Sequence, residues 1–272
     1  MTAPMTDSLE PLLPLSIARR RILILVPHPD DEVVGCAAAI RRARAQGAKL
    51  FAIYLTTGVP RRAAAWPWDR AQHGTRIARR RAEARRAAAL LRITPVGFAN
   101  WPSRELKAHL GSARAFIAER CAEIAPDMLW TPAYEGGHQD HDVTNFLAST
   151  FADDVPVVEF AEYNALTGGG ARAFPAAIGA EQTLRLSAVE AARKAALLRV
   201  YRSERANLAR LRRRGNLSRE VLRPLAPYDY GLPAHPGRLF YQRFQWLPFA
   251  HPRIDFTPPA AVSAAIDRFR SR

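Results

Sequence analysis

Apolar positions in this chain fall into short unbroken runs, each followed by a stretch in which small and charged residues recur on a helical period. The first run, RILILV (21–26), has no polar interruption, as a strand buried on both faces requires. Residues 33–46 are alanine-rich and helix-permissive, and Gly47 is a natural helix stop. KLFAIYLT (49–56) predicts a second strand that exits through TGVPRR, and a helix follows over 75–91. ITPVGFA (93–99) predicts a third strand, and residues 103–125 a helix interrupted or restarted at Gly111. DMLWTP (127–132), DHDVTNFLASTFA (140–152) and VPVVEFAEY (155–163) predict strand, helix and strand. Alternation at this spacing is the mark of βαβ units. It places the chain in the α/β class, with a Rossmann-like, doubly wound, mainly parallel sheet and helices on both faces.

The texture changes after residues 167–175. A helical pattern over 187–213 is interrupted near Tyr201. Residues 223–246 then carry prolines at 224, 227, 233 and 236, which exclude a regular helix. The expected organisation is a flexible N-terminal leader (1–20) and one domain (21–272). Its C-terminal extension, about 206–272, packs on that domain, and residues 223–246 within it read as loop and short strands at the rim of the site.

Charge adds less than its size suggests. Forty basic against 25 acidic residues leave +15, but only Lys49, Lys107 and Lys194 are lysines and the arginines are dispersed. Aromatic residues do not interleave with them to stack bases, so no nucleic-acid partner is expected. No apolar run approaches the roughly 20 residues of a membrane span, and no basic segment precedes an apolar core as in a secretory signal. Cys36 and Cys121 alone make no disulfide framework, so a cytoplasmic location is expected. The sequence does not reveal the oligomeric state.

The candidate chemistry lies where the strands end, because ligands of open α/β sheets sit beyond the carboxyl ends of the strands. PHPDDE (27–32) follows strand 1 and PAYEGGHQDH (132–141) follows strand 4. A dinucleotide site would need G-x-G-x-x-G in the first turn, but only Gly35 is there and the acids would repel phosphate. A divalent cation removes the repulsion among Asp30, Asp31 and Glu32. His28 and Asp31 can aim at one point across the turn, and His138 and His141 share one side of a helix start. His28, Asp31 and His141 make a three-ligand set with an open position, as catalytic zinc sites use. Fe²⁺ suits the same set. His73, His109 and His251 read as surface or core histidines, His235 as a turn residue, Arg80 and Glu83 as a surface pair, and Trp130 as packing.

PHPDDE followed by GHQDH resembles the LmbE-like, or PIG-L, family of zinc-dependent N-deacetylases, whose signatures are A/P-H-P-D-D-E and H-x-D-H. LTTG (55–58), RRAEARRAAALL (80–91), PDMLWTP (126–132) and YRSE (201–204, for the family's Y-x-S-Q) agree, so the likeness spans about 21–205. It implies zinc at His28, Asp31 and His141, and Asp30 as general base. It also implies His138 as a protonated oxyanion stabiliser, oriented by Asp140. The implied reaction removes an N-acyl group, chiefly acetyl, from an amino sugar or its conjugate. Two features depart from the family. The loop after strand 3 carries Asn100 and Trp101 where many members have an acid, leaving Trp101 to stack on a sugar. Gly136 replaces a tyrosine, with Tyr134 as the substitute. Arg61 and Arg62, in the basic and aromatic loop 59–70, are the expected contacts for an anionic or lipid-linked substrate. The resemblance suits a bacterial subgroup of the family. The rival readings are a zinc amidase acting on a non-sugar metabolite and a non-catalytic anion-binding or nucleic-acid-binding protein.

Overall fold

The computed structural model describes residues 17–167, 172–213, 217–243, 245 and 254–271. Residues 1–16, most of the expected leader, and His251 lie outside them. Seven strands form one sheet in the order β3-β2-β1-β4-β5-β7-β6. They are β1 (Arg21–Val26), β2 (Lys49–Pro60), β3 (Thr94–Ser103), β4 (Met128–Pro132), β5 (Val157–Phe160), β6 (Gln182–Arg185) and β7 (Arg219–Pro224). The pairings β3–β2, β2–β1, β1–β4 and β4–β5 are parallel, and β7 is antiparallel to both β5 and β6. The helices are α1 (Asp31–Ala45), α2 (His73–Leu91), α3 (Leu110–Ile124), α4 (Gln139–Ser149), α5 (Ala188–Leu198), α6 (Arg205–Arg213) and α7 (Pro259–Arg270).

The unbroken apolar run of β1 has a direct cause. Ile22, Ile24 and Val26 enter one core layer with α1, α2 and α5, whereas Leu23 and Leu25 enter the other with α3, α4 and α7. Strand alternation then demands apolar residues at every position. Because β1 pairs with both β2 and β4, the winding reverses between β1 and β4. The loops leaving these two strands are therefore neighbours, and they carry the two motifs.

Two strands run further than the pattern suggested. β2 continues to Pro60 and β3 to Ser103, so Trp101 lies in a strand and not in a loop. Register shifts after Tyr54 and Thr56 accommodate the extra residues. Residues 62–64 and 67–72 form short 3₁₀ turns. Beyond the predicted elements, β6 and β7 add two short strands to the sheet and α7 adds a helix to the C-terminal extension.

Helix α1 is broken at Cys36 (φ −142°, ψ 26°). Beyond the break, the Ala38 and Ala39 N–H groups donate to the Glu220 carboxylate of β7 at 3.0 and 2.9 Å. Lys194 Nζ of α5 donates to that same carboxylate at 2.5 Å. The pair is buried, and it caps the second half of α1 as a side-chain cap would.

Candidate active site

The turn after β1 and the start of α4 bring together three donor atoms. His28 Nδ1 lies 3.1 Å from Asp31 Oδ2, His141 Nε2 lies 3.2 Å from the same oxygen, and the two ring nitrogens are 3.2 Å apart. A tetrahedral ion with ligand bonds of about 2.0 Å has donors roughly 3.3 Å apart, so the spacing fits a cation of zinc's size. Buried imidazole and carboxylate donors also suit Zn²⁺ or Fe²⁺. Burial would raise the Asp31 carboxyl, but His141 and His28 outweigh it and hold Asp31 well below the usual range. Burial opposes the charged form of His28, but Asp31 and Asp140 override it and push the ring up to about 10.

Asp140 stands elsewhere than expected. Its Oδ2 accepts from His28 Nε2 at 2.9 Å and from the Arg104 N–H at 2.6 Å, but is 3.7 Å from His138 Nδ1. Its carboxylate therefore orients His28, the outer contact that a metal-binding histidine commonly has. His138 is the N-cap of α4, and its Nδ1 accepts the Asp140 main-chain N–H at 3.1 Å. That assignment leaves the proton on Nε2. Burial, reinforced by His28, holds the His138 pKa well below its ordinary value. The expected imidazolium is thus corrected to a neutral N–H donor.

Asp30 occupies a strained position, with φ at 126°. Arg80 reaches it at 3.4 and 3.5 Å and also meets Glu204 at 3.4 Å. Burial, only partly offset by Arg80, raises the Asp30 carboxyl well above the usual range. Arg80 is itself buried, which corrects its reading as half of a surface pair with Glu83. Gly58 admits it: φ there is +67°, and a Cβ would stand 2.6 Å from Arg80 Nη2. The YRSE segment closes the arrangement from behind, with Tyr201 donating to Glu32, Ser203 to Glu83, and Glu204 facing Arg80. The signal for Arg80 was present in the sequence. Ala84, Ala87, Ala88 and Leu91 mark the buried stripe of α2, and position 80 continues it.

These groups open into a cavity of about 810 Å³. Arg61 lines it and lies 3.4 Å from Glu105. Arg76 and Arg79 also line it, both exposed and, among the described residues, without an ion-pair partner. Phe240, Tyr241 and Arg243 bring the C-terminal part of the chain to its wall. Three expected substrate contacts do not reach it. Arg62 is exposed and donates to the Arg70 carbonyl. Trp101 stacks on His109 and meets the edge of Phe116, because β3 carries it into the core. Tyr134 packs between Tyr228 and Tyr230, with its hydroxyl donating to the Leu232 carbonyl at 2.6 Å.

Residues 23–152, from β1 to the end of α4, match the family model described as PIG-L, GlcNAc-PI de-N-acetylase. No curated protein matches the chain significantly. Among solved structures, the zinc inhibited form of teicoplanin deacetylase Orf2 aligns at 20% identity and TM-score 0.60, over 77% of this chain and 99% of that one. The N,N'-diacetylchitobiose deacetylase of Pyrococcus horikoshii, complexed with an inhibitor, aligns at 18% and 0.56, over 79% and 84%. A 4-carboxy-2-hydroxymuconate hydratase from Pseudomonas putida aligns at 15% and 0.53, over 77% and 98%. Likeness at these identities shows a shared fold, and the hydratase demonstrates that the fold alone does not fix the reaction.

Proposed function

We propose, on the match of residues 23–152 to the PIG-L family of N-deacetylases, that this chain hydrolyses the N-acetyl group of an amino sugar borne on an anionic conjugate. The observation carrying this reading is the convergence of His28, Asp31 and His141 within 3.2 Å, with Asp30 on Arg80 beside them. Held by those three residues, zinc, or Fe²⁺ as the alternative, supplies Lewis acidity toward the amide and acidifies water.

The chain's own groups perform the rest. Asp30 accepts the proton lost as water adds to the amide carbon, and Arg80 fixes its carboxylate in place. Its raised pKa lets it hold that proton and then deliver it to the departing nitrogen. His138 offers Nε2–H to the oxygen on which negative charge develops. The C–N bond breaks, leaving acetate and a free amine. Arg76 and Arg79, on the face of α2 that descends to Arg80, are positioned for the anionic part of the substrate, a phosphate or carboxylate, free or in the headgroup of a lipid-linked sugar. The two unpaired cysteines accord with a cytoplasmic setting.

Amine release from metal-loaded protein tests the proposal. The panel holds N-acetylglucosamine, its phosphorylated and glycosidic conjugates, and N-acetyl amines without sugar. Phosphorylated sugars should react best, and Asp30→Asn should lose roughly 10²–10⁴ of the rate. Replacing Arg76 and Arg79 by Gln should raise KM for the anionic substrates alone. Release from the non-sugar amides alone would transfer the protein to the rival amidase class.

A further inference from the structure

Glu162 lies just beyond the carboxyl end of β5, an interior strand of the sheet, and is fully buried. Neither carboxylate oxygen has a hydrogen-bond partner. Neighbouring buried acids are provided for. Glu135 accepts from the Glu162 and Tyr163 N–H groups at 2.7 and 2.8 Å, and Asp142 from those of Glu135 and Gly136. Arg172, the nearby cation, donates through Nη1 to the Glu162 main-chain oxygen, while its own Nε and Nη2 lack partners. A buried polar group left unsatisfied costs about 1–3 kcal/mol, and more when charged.

Ligating atoms of Glu162, Asp31 and His141 all lie within 4.8 Å of one another. His141 Nδ1, on the ring whose Nε2 joins the triad, is likewise buried without a partner. The triad supplies one negative charge, from Asp31, because the two imidazoles bind a cation in neutral form. A divalent ion there retains one uncompensated positive charge. Asp30 faces Arg80, and Asp140 accepts from His28. Glu162 is the adjacent carboxylate with no hydrogen-bonded partner, opposed by the charge of Arg172 alone without a direct contact to its oxygens.

We propose that Glu162 is a positioning residue for the cation: it stands behind Asp31 and His141, supplies the second negative charge, and is retained for metal affinity at the expense of the metal-free fold. The proposal rests on the reading of His28, Asp31 and His141 as metal ligands. Outer partners of metal ligands typically contribute 10–100-fold in affinity.

The test is Zn²⁺ affinity, by competition with a chromophoric chelator at fixed pH, together with the Tm of the metal-free protein. Glu162→Gln should bind Zn²⁺ roughly 10–100-fold more weakly while its metal-free Tm stays at or above the parent's. Glu162→Asp, which keeps the charge, should bind more tightly than Glu162→Gln. Arg172→Met, which removes the neighbouring positive charge, should bind Zn²⁺ more tightly than the parent; it serves as the independent variant if Glu162→Gln does not fold. Parent-like affinity in Glu162→Gln overturns the proposal, as does an unchanged affinity in Arg172→Met. A parent that binds no Zn²⁺ overturns the metal reading and this inference together, whereas a parent that binds with Glu162→Gln its equal overturns the inference alone.

Discussion

Replacing Asp140 by Asn separates two accounts of that carboxylate. In the structure Asp140 Oδ2 accepts from His28 Nε2 and from the Arg104 N–H, while Oδ1 faces the Leu106 N–H at 3.3 Å. An amide cannot serve all three donors, because on either orientation its NH₂ meets an N–H. It also carries no charge to strengthen the bond to His28 or to raise the basicity of Nδ1, the nitrogen in the triad. Loss of such an outer carboxylate typically weakens metal binding 10–100-fold, or roughly 1.4–2.7 kcal/mol. His138 keeps its own anchor, since the Asp140 main-chain N–H survives the substitution. Asp140→Asn should therefore lose Zn²⁺ affinity in chelator competition, and saturating metal should restore part of the activity. If affinity stays within about twofold of the parent while kcat collapses, Asp140 acts on His138 and the geometric argument fails.

Metal binding should depend steeply on pH. Since His28 is held up to about 10 in the metal-free triad, the cation must displace its proton at any lower pH. Apparent affinity should then fall about tenfold per unit from pH 8 to pH 6, and a flat profile in chelator competition would sink the assignment. Away from the site, Glu220→Ala strands the buried Lys194 and strips two N–H groups of α1 of their acceptor, which should cost about 3–5 kcal/mol in urea unfolding. A loss below about 1 kcal/mol would mean that α1 holds its break without this cap.

What the sequence disclosed follows from how each part is constrained. β1 was legible because both its faces are buried, so its apolar run is continuous. β3 was legible only in part. It is an edge strand, and an edge tolerates Pro95, Gly97 and Pro102, which erase the strand pattern. β6 is four residues long and lies on the opposite edge, too short for a periodicity to register. The candidate ligand cluster was legible because crowded acids beside histidine at a strand end have few other uses. Neighbouring roles were harder to read, because a motif records which residues are present and not which way each side chain turns. Asp140 follows His138 by two positions, yet its carboxylate turns to His28, across the junction of the two loops. Trp101 and Tyr134 failed as substrate contacts for the same reason, since an aromatic near a site in sequence fills the core unless its backbone aims it outward. Arg80 and Glu162 carry the converse lesson. A charge on a buried stripe or at a buried strand end is costly, and each of these two lies against the chemistry that could offset that cost. A buried charge on a helix's apolar stripe, as at Arg80, therefore points to surroundings of a candidate site that proximity to its motif misses.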